Sequence, residues 1–371
     1  MALSRIDTTN MIEDVPQSKL DNNINFRNII INGDMSIAQR ATSVSSITSS
    51  GYRTVDRWIH NVTTMGTWTL SQSTDVPTGQ GFAKSVKWDC TTADASPSGT
   101  DRLMFQQYIE GQNLQYLKKG TANAESLTAS FWVKSNKTGT YICELRDMDN
   151  SRHISKSYTI SSADTWEKKT VTFAGDTTGA FDNDNNGSLR LNFWLGTSST
   201  FSSGTLATSW SSYADANRAV GQVNLADSTD NEWYITGVQL EAGTTASDFE
   251  FLPHDVNLAR CQRYYYLHAS NSTSMDIGVG GYYTSSMIFV NVTLPCSMRT
   301  APSVVYDNTT NNYKISRNNS NDLFTDFLGG GSASTNEINL YNNTQVSGTA
   351  GHTGYIRTNL STGSLAFNSE L

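Results

Sequence analysis

Side chains able to do chemistry are scattered through this 371-residue chain rather than gathered into motifs. The five histidines are His60, His153, His254, His268 and His352. None stands in an HExxH or HxH pattern that would put two imidazoles on one metal. No serine occupies the GxSxG turn that exposes a hydrolytic nucleophile. Cys90, Cys143, Cys261 and Cys296 stand alone, without a CxxC pair or a histidine at zinc-ligand spacing, and read as buried free thiols. Carboxylates are frequent in loops, as at Asp147, Asp149, Asp182 and Asp184. Two such groups about 5–9 Å apart could cleave a glycosidic bond. Sequence spacing does not set that distance, and the plainer reading is solvated turn residues. The chain is therefore expected not to be an enzyme, with a glycan-cleaving activity as the least favoured alternative.

Two patterns point to binding instead. The run Asp182-Asn183-Asp184-Asn185-Asn186-Gly187 puts hard oxygen donors at alternate positions, on Asp182, Asp184 and Asn186, with a glycine for the turn, as calcium requires. The twelfth position is Phe193 rather than a bidentate glutamate, so this is no EF-hand. An Asx-rich hairpin turn is the competing reading, and calcium is the one candidate cofactor. Sugars bind through aromatic faces flanked by planar polar groups. Of eight tryptophans, Trp58, Trp132, Trp166 and Trp233 sit in or beside strand patterns and read as core. Trp194 shares a strand face with Arg190 and Asn192. Trp210 and Tyr213 lie in the Ser-rich loop TSWSSYADANR. Trp194, Arg190, Trp210 and Tyr213 are thus the expected ligand-binding residues, presented as exposed platforms.

The elements that would position them are strands. FRNIIINGDM is β-rich up to Asn32-Gly33. TWTLSQS, SLTASFWVKS, TYICELRD, HISKSYTI, EKKTVTFAG, SLRLNFWLG and EWYITGVQLEAG follow, each bounded by turn formers. Leu127, Ala129, Phe131 and Val133 share one face of their strand, and Leu189, Leu191, Phe193 and Leu195 share one face of theirs. Period-two alternation implies one buried and one wetter face per strand. The pattern predicts an all-β fold: a jelly-roll β-sandwich over 26–253, a helical connector over 254–269 capped by Asp255, and a small β domain over 270–371. In the connector, Arg263 to Leu267 reads equally as a first strand. GGYYTSSMIFVNVTLP is a strand pair or one long strand, and LGGGSASTNE a loop. The last domain is thin in apolar residues and is expected to pack against its own copies. Residues 1–25 have no regular period. Their apolar anchors Leu3, Ile6, Met11, Ile12 and Val15 suggest an arm that orders on a partner.

Composition narrows the function further. Charged residues are 16% and aromatics 10%, with a net charge of −8. The aromatics argue against wholesale disorder, and the acidic balance argues against a nucleic-acid partner. No stretch approaches the roughly 18 apolar residues of a membrane span. The N-terminus lacks a signal-peptide pattern, so assembly in a cytoplasm is expected.

NIIINGDMSIAQR with YRTVDRW at 52–58, and WYITGVQLEAGTTASDFEFLPHDVNLARCQRYY at 233–265, resemble the opening and the end of a module in phage tail-fibre and virion structural proteins. ADTWEKKTVTFAGDTTG, between them, also resembles it. MALSRIDTTNM looks like the opening of phage tail proteins. The resemblance implies a jelly roll similar to carbohydrate-binding modules, attached to other tail or capsid proteins through residues 1–25. It also implies a homotrimer located in the virion, with a distal C-terminal tip and host surface polysaccharide as partner. A capsid or neck decoration protein without receptor binding is the alternative.

Overall fold

The computed structural model describes residues 26–270, 272–328 and 333–371. Leu3, Ile6, Met11, Ile12 and Val15 lie outside the described residues, as does the centre of the LGGGSASTNE loop. Among the described residues the fold is all-β apart from one α-helix and short 3₁₀ turns. Among the described residues no helix is long and apolar enough to cross a membrane. Two compact units form: one comprises residues 26–35, 45–51 and 59–251, the other 36–44, 52–58 and 252–371.

The first unit contains β1 (Ser43–Tyr52), β2 (Ile59–Ser73), β3 (Ser85–Thr92), β4 (Arg102–Glu110), β5 (Leu127–Ser135) and β6 (Gly139–Asp147). It continues with β7 (Arg152–Ile160), β8 (Glu167–Phe173), β9 (Gly187–Thr197), β10 (Ser211–Ser212) and β11 (Glu232–Ala242). The hydrogen-bonded order is β10-β7-β6-β9-β4-β2-β3-β11-β5-β8, with β1 on β2. This path folds into two layers because β2 serves both. Its first half, Ile59–Thr63, pairs with β4, and its second half, Thr67–Ser73, pairs with β3. Gly66, at φ +72°, makes the bend between them, where a Cβ would meet the Thr92 carbonyl oxygen at 2.5 Å. The layers meet through edge-on aromatics. Phe131 of β5 packs on Phe193 of β9 and Tyr158 of β7, and Phe105 of β4 on Trp233 of β11. Each fully buried ring of this kind contributes about 1.5–3 kcal/mol of transfer free energy.

Three expectations are corrected here. FRNIII forms no strand, because apart from one main-chain bond, from Ile29 N to Leu240 O at 2.9 Å, its backbone is held by side chains rather than by a ladder. Asn28 accepts from Ile30 N, Gln107 from Ile31 N and Glu250 from Asn28 N. Trp132 and Trp166 are half-buried rather than core, whereas Trp58 and Trp233 are fully buried. The one-dry, one-wet face rule fails on β9, where every residue from Ser188 to Leu195 is buried. Leu189, Leu191, Phe193 and Leu195 share the core side as expected. The opposite side is covered by the segment 198–223, whose Phe201 and Ala219 pack on Met104, Ile142 and Trp194.

The second unit contains α1 (His254–Gln262), β12 (Tyr265–Ala269), β13 (Asp276–Thr284), β14 (Met287–Thr293) and β15 (Ser303–Tyr306). After these come β16 (Tyr313–Arg317), β17 (Ser320–Phe324), β18 (Glu337–Asn342), β19 (Thr353–Thr358) and β20 (Leu365–Asn368). They make a three-stranded sheet, β12-β20-β15, and a six-stranded one, β17-β16-β19-β13-β14-β18. Helix α1 and β12 thus belong to this unit rather than forming a separate connector, and GGYYTSSMIFVNVTLP is a hairpin. Pro253, not Asp255, is the N-cap of α1, and Asp255 lies in its first turn. Residues 36–44 and 52–58, read above as part of the first domain, are tied in by charge. Glu370 receives Arg57, which is 1% exposed and lies 3.4 Å over the Tyr264 ring, and Arg40 at 3.2 Å. Asp56 accepts from Gln39 N at 2.9 Å, and its burial pushes the carboxyl up to about 6 against the pull of Arg40.

Candidate functional sites

Three of the candidate residues of the first unit, Trp194, Arg190 and Tyr213, converge on the non-core side of β4, β9, β6 and β7. Register sets Glu144 of β6 opposite Asn192 of β9, and Arg146 opposite Arg190. Segment 198–223 lays Arg218 across them. Its Nε donates to Glu144 Oε1 at 2.8 Å and its Nη2 to Oε2 at 3.0 Å, a planar fork on a planar carboxylate. Asn192 Nδ2 and Trp194 Nε1 donate to Glu144 Oε2 at 2.8 and 3.0 Å. Burial alone would raise the Glu144 carboxyl, but the adjacent charge of Arg218 outweighs it and holds the group well below the usual carboxylate range.

This changes the role expected of two residues. Trp194 is fully buried and offers no exposed face for stacking; it is a donor to a buried carboxylate. Arg190 is only 6% exposed and donates from Nη1 to the Tyr108 hydroxyl at 2.9 Å. Tyr213 is half-buried on the same group, with Arg146 4.0 Å from its ring centre and Arg218 Nη1 donating to its hydroxyl at 2.9 Å. Trp210 is elsewhere. Its Nε1 donates to the Ala174 carbonyl at 2.7 Å and its ring faces Lys119 at 5.7 Å.

Lys119 fills a cage of oxygens. Its Nζ lies 2.9 Å from Thr178 O, 2.7 Å from Gly179 O, 2.5 Å from Asp147 Oδ2 and 3.2 Å from Asp176 Oδ2. The proposed calcium ligands are arranged differently. Asp184 accepts from Asn186 N at 2.9 Å and from Asn186 Nδ2 at 2.5 Å, so both its oxygens close an Asx turn. Asp182 presents its main chain, donating N–H to Asp149 Oδ2 at 3.0 Å. Among the described residues no three His, Cys, Asp or Glu side chains gather as a metal site. Cys90, Cys143 and Cys261 are buried free thiols, while Cys296 is half-buried.

An open cleft lies in the second unit, on residues that the sequence reading did not single out. It has a volume of about 740 Å³ and is lined by Tyr355 and Arg357 of β19 and by Arg317, Asn318, Asn319 and Asn321 of the β16–β17 hairpin. Asn318 and Asn319 hold φ of 48° and 57°, the two positive values a tight hairpin turn requires. That Asn-Asn pair between alternating residues was the available signal. Tyr355 is 52% exposed, with the Arg357 guanidinium 4.7 Å from its ring centre and Val279 opposite it on β13. Lys314 adds a third cation, donating to Ser274 Oγ at 2.9 Å. The cleft therefore offers one aromatic face, planar amides and guanidinium donors within one small-ligand volume.

No protein-family model matches the chain, and no curated protein does. Among solved structures, the chain is similar to the enzymatically active domain of tailspike protein 4 of bacteriophage CBA120. Identity there is 15% over 58% of this chain, with a TM-score of 0.31, and the match spans only 21% of the tailspike chain. It is also similar to a family 22 carbohydrate-binding module of Clostridium thermocellum, at 11% identity over 55% of this chain and 95% of that one, TM-score 0.28. A family 11 carbohydrate-binding module from a Clostridium thermocellum cellulase gives 13% identity over 55% and 98%, TM-score 0.25.

Proposed function

We propose that the chain is a non-enzymatic, glycan-binding component of a phage appendage, with the cleft around Tyr355 as its receptor site. The observation that carries this is the chemistry of that cleft: an exposed tyrosine face bordered by Asn318, Asn319 and Asn321 and by two arginines. A pyranose ring needs an apolar face for its C–H surface and planar donors and acceptors for its hydroxyls, and this lining supplies both. The sequence resemblance over 28–265 supports the phage setting, with residues 1–25 as the attachment arm. Weak single contacts become strong binding when several copies engage one surface, which supports a homo-oligomer, a trimer by the same resemblance.

The test is binding of the full-length protein to intact host cells, competed with free host polysaccharide. Saturable, competed binding is expected. Tyr355→Ala removes the stacking face from an exposed strand position and is expected to weaken binding about tenfold, near 1.4 kcal/mol, with an unchanged melting temperature. Binding that survives Tyr355→Ala unaltered would move the receptor site off this cleft. A folded protein that binds no cells would leave the decoration role.

A further inference from the structure

One row of side chains crosses five adjacent strands of the first unit. Ser211 of β10 stands opposite His153 of β7, His153 opposite Arg146 of β6, Arg146 opposite Arg190 of β9, and Arg190 opposite Tyr108 of β4. Directly paired residues point to the same side of a sheet, so all five project from the side that carries Glu144. Four of them hold buried polar atoms with no hydrogen-bond partner, Ser211 Oγ, His153 Nε2, Arg146 Nε and Arg190 Nε, while His153 Nδ1 lies 3.3 Å from Glu144 Oε1. His153 is fully buried and Arg190 nine-tenths buried. Buried polar atoms of this kind are normally paired, and an aligned set of four left open is rare in a folded protein.

The charges in the row are equally unbalanced. Glu144, the nearest carboxylate, is taken up by the Arg218 fork, by two neutral donors and by His153 Nδ1 at 3.3 Å. Asp215 lies 3.5 Å from Arg218 and accepts from Tyr213. Arg146 has no ion pair among the described residues and only the Tyr213 face against it. Arg190 has the Tyr108 hydroxyl and ring. Two guanidinium groups thus oppose each other across neighbouring strands with no anion of their own, an arrangement that repels. Burial and the charge of Arg190 both act to lower the affinity of Arg146 for its proton.

We propose that this row is an oxyanion site: Arg146 and Arg190, with Ser211 and His153 beside them, receive a carboxylate, sulfate or phosphate group, and Tyr213 lies against it. That the oxyanion is borne on a sugar rests on the glycan-binding reading; the site itself does not. An oxyanion between the two arginines removes their repulsion and accepts from the open donors, which a neutral sugar cannot do.

The experiment is thermal unfolding of the full-length protein in glucuronate, sulfate, phosphate and, as neutral control, glucose, each with sodium chloride matched for ionic strength. A site of this kind raises Tm by about 5 °C or more at a hundredfold excess over Kd. The anion that does so identifies the source. Arg146→Gln is expected to abolish that rise while lifting the ligand-free Tm by roughly 2 °C, because it relieves a like-charge pair. Arg190→Gln, at a more buried position, serves as the second variant and is expected to abolish the same rise. A purely structural arginine pair would give the opposite, a lowered Tm on Arg146→Gln and no anion response in the wild type. Equal stabilisation by glucose, or by none of the four, overturns the proposal. Tyr355→Ala leaves the anion response intact, which separates the failure of this site from failure of the cleft.

Discussion

Replacing Glu144 by glutamine tests the buried centre of the first unit directly. The carboxylate accepts four hydrogen bonds, two from Arg218 and one each from Asn192 and Trp194. Glutamine keeps the shape, loses the charge and turns one acceptor into a donor facing donors. Arg218, at 2% exposure, is then left with only the exposed Asp215, 3.5 Å away. Breaking a buried pair from one side costs about 3–5 kcal/mol. With a urea dependence of about 2–3 kcal/mol per molar, the midpoint falls by roughly 1.5 M. Urea unfolding followed by tryptophan fluorescence measures this. Removing both charges, as Glu144→Leu with Arg218→Met, is expected to recover much of the loss, since an apolar pair of similar volume often matches a buried ion pair. A Glu144→Gln variant within 1 kcal/mol of wild type would refute the reasoning. So would a double variant worse than the sum of the singles. The pH dependence gives a second reading. The folded carboxyl lies below its unfolded value of about 4.3, so its contribution is complete above that value and is lost as pH falls toward the folded one. Glu144→Gln removes this acid-induced loss.

Two further outcomes follow from buried charges. Asp56, raised to about 6 by burial, has the opposite sign: folding favours its protonated form, so its contribution is lost as pH rises from 3.8 through 6. That amounts to about 3 kcal/mol, and Asp56→Asn is expected to flatten the pH dependence of stability between pH 4 and 7 in calorimetry. Lys119→Met leaves Asp147 and Asp176 without their shared ammonium. It is expected to destabilise by about 3–5 kcal/mol in urea unfolding, and a change under 1 kcal/mol would mean that Arg152, which donates to both oxygens of Asp176 at 2.7 and 3.0 Å, carries the counter-charge instead.

The strands most legible in the sequence were those with clean alternation and turn formers at both ends. SLTASFWVKS, TYICELRD and EWYITGVQLEAG became β5, β6 and β11. The strands β1, β3, β4, β10, β16, β17 and β20 were not singled out, because serines, lysines, glutamines and asparagines interrupt or replace their apolar residues and turns follow closely. FRNIII failed for the reverse reason: its β-propensity is high, but Asn28, Gln107 and Glu250 supply the backbone partners that a neighbouring strand would have supplied. The tryptophans misled in both directions. Placing Trp194 on the non-core face of β9 was correct, and inferring its exposure was not, because exposure depended on segment 198–223 folding back over it. Nothing local in TSWSSYADANR announces that Arg218 will reach Glu144, 74 residues away. The cleft was missed because its aromatic, Tyr355, lies on a different strand from the Asn318-Asn319 turn, and only the pairing of β16 with β19 joins them.

The cage around Lys119 bears on how the first unit meets its surroundings. Two carboxylates and two carbonyl oxygens would suit a divalent cation as well as an ammonium. A diffusible ion occupies such a place in proportion to its concentration outside. A covalently tethered charge has a local concentration that the medium cannot dilute. The loop from Asp176 to Phe181 therefore keeps its counter-ion through chelation, dialysis or passage between fluids of different hardness, and its stability is set by the chain alone.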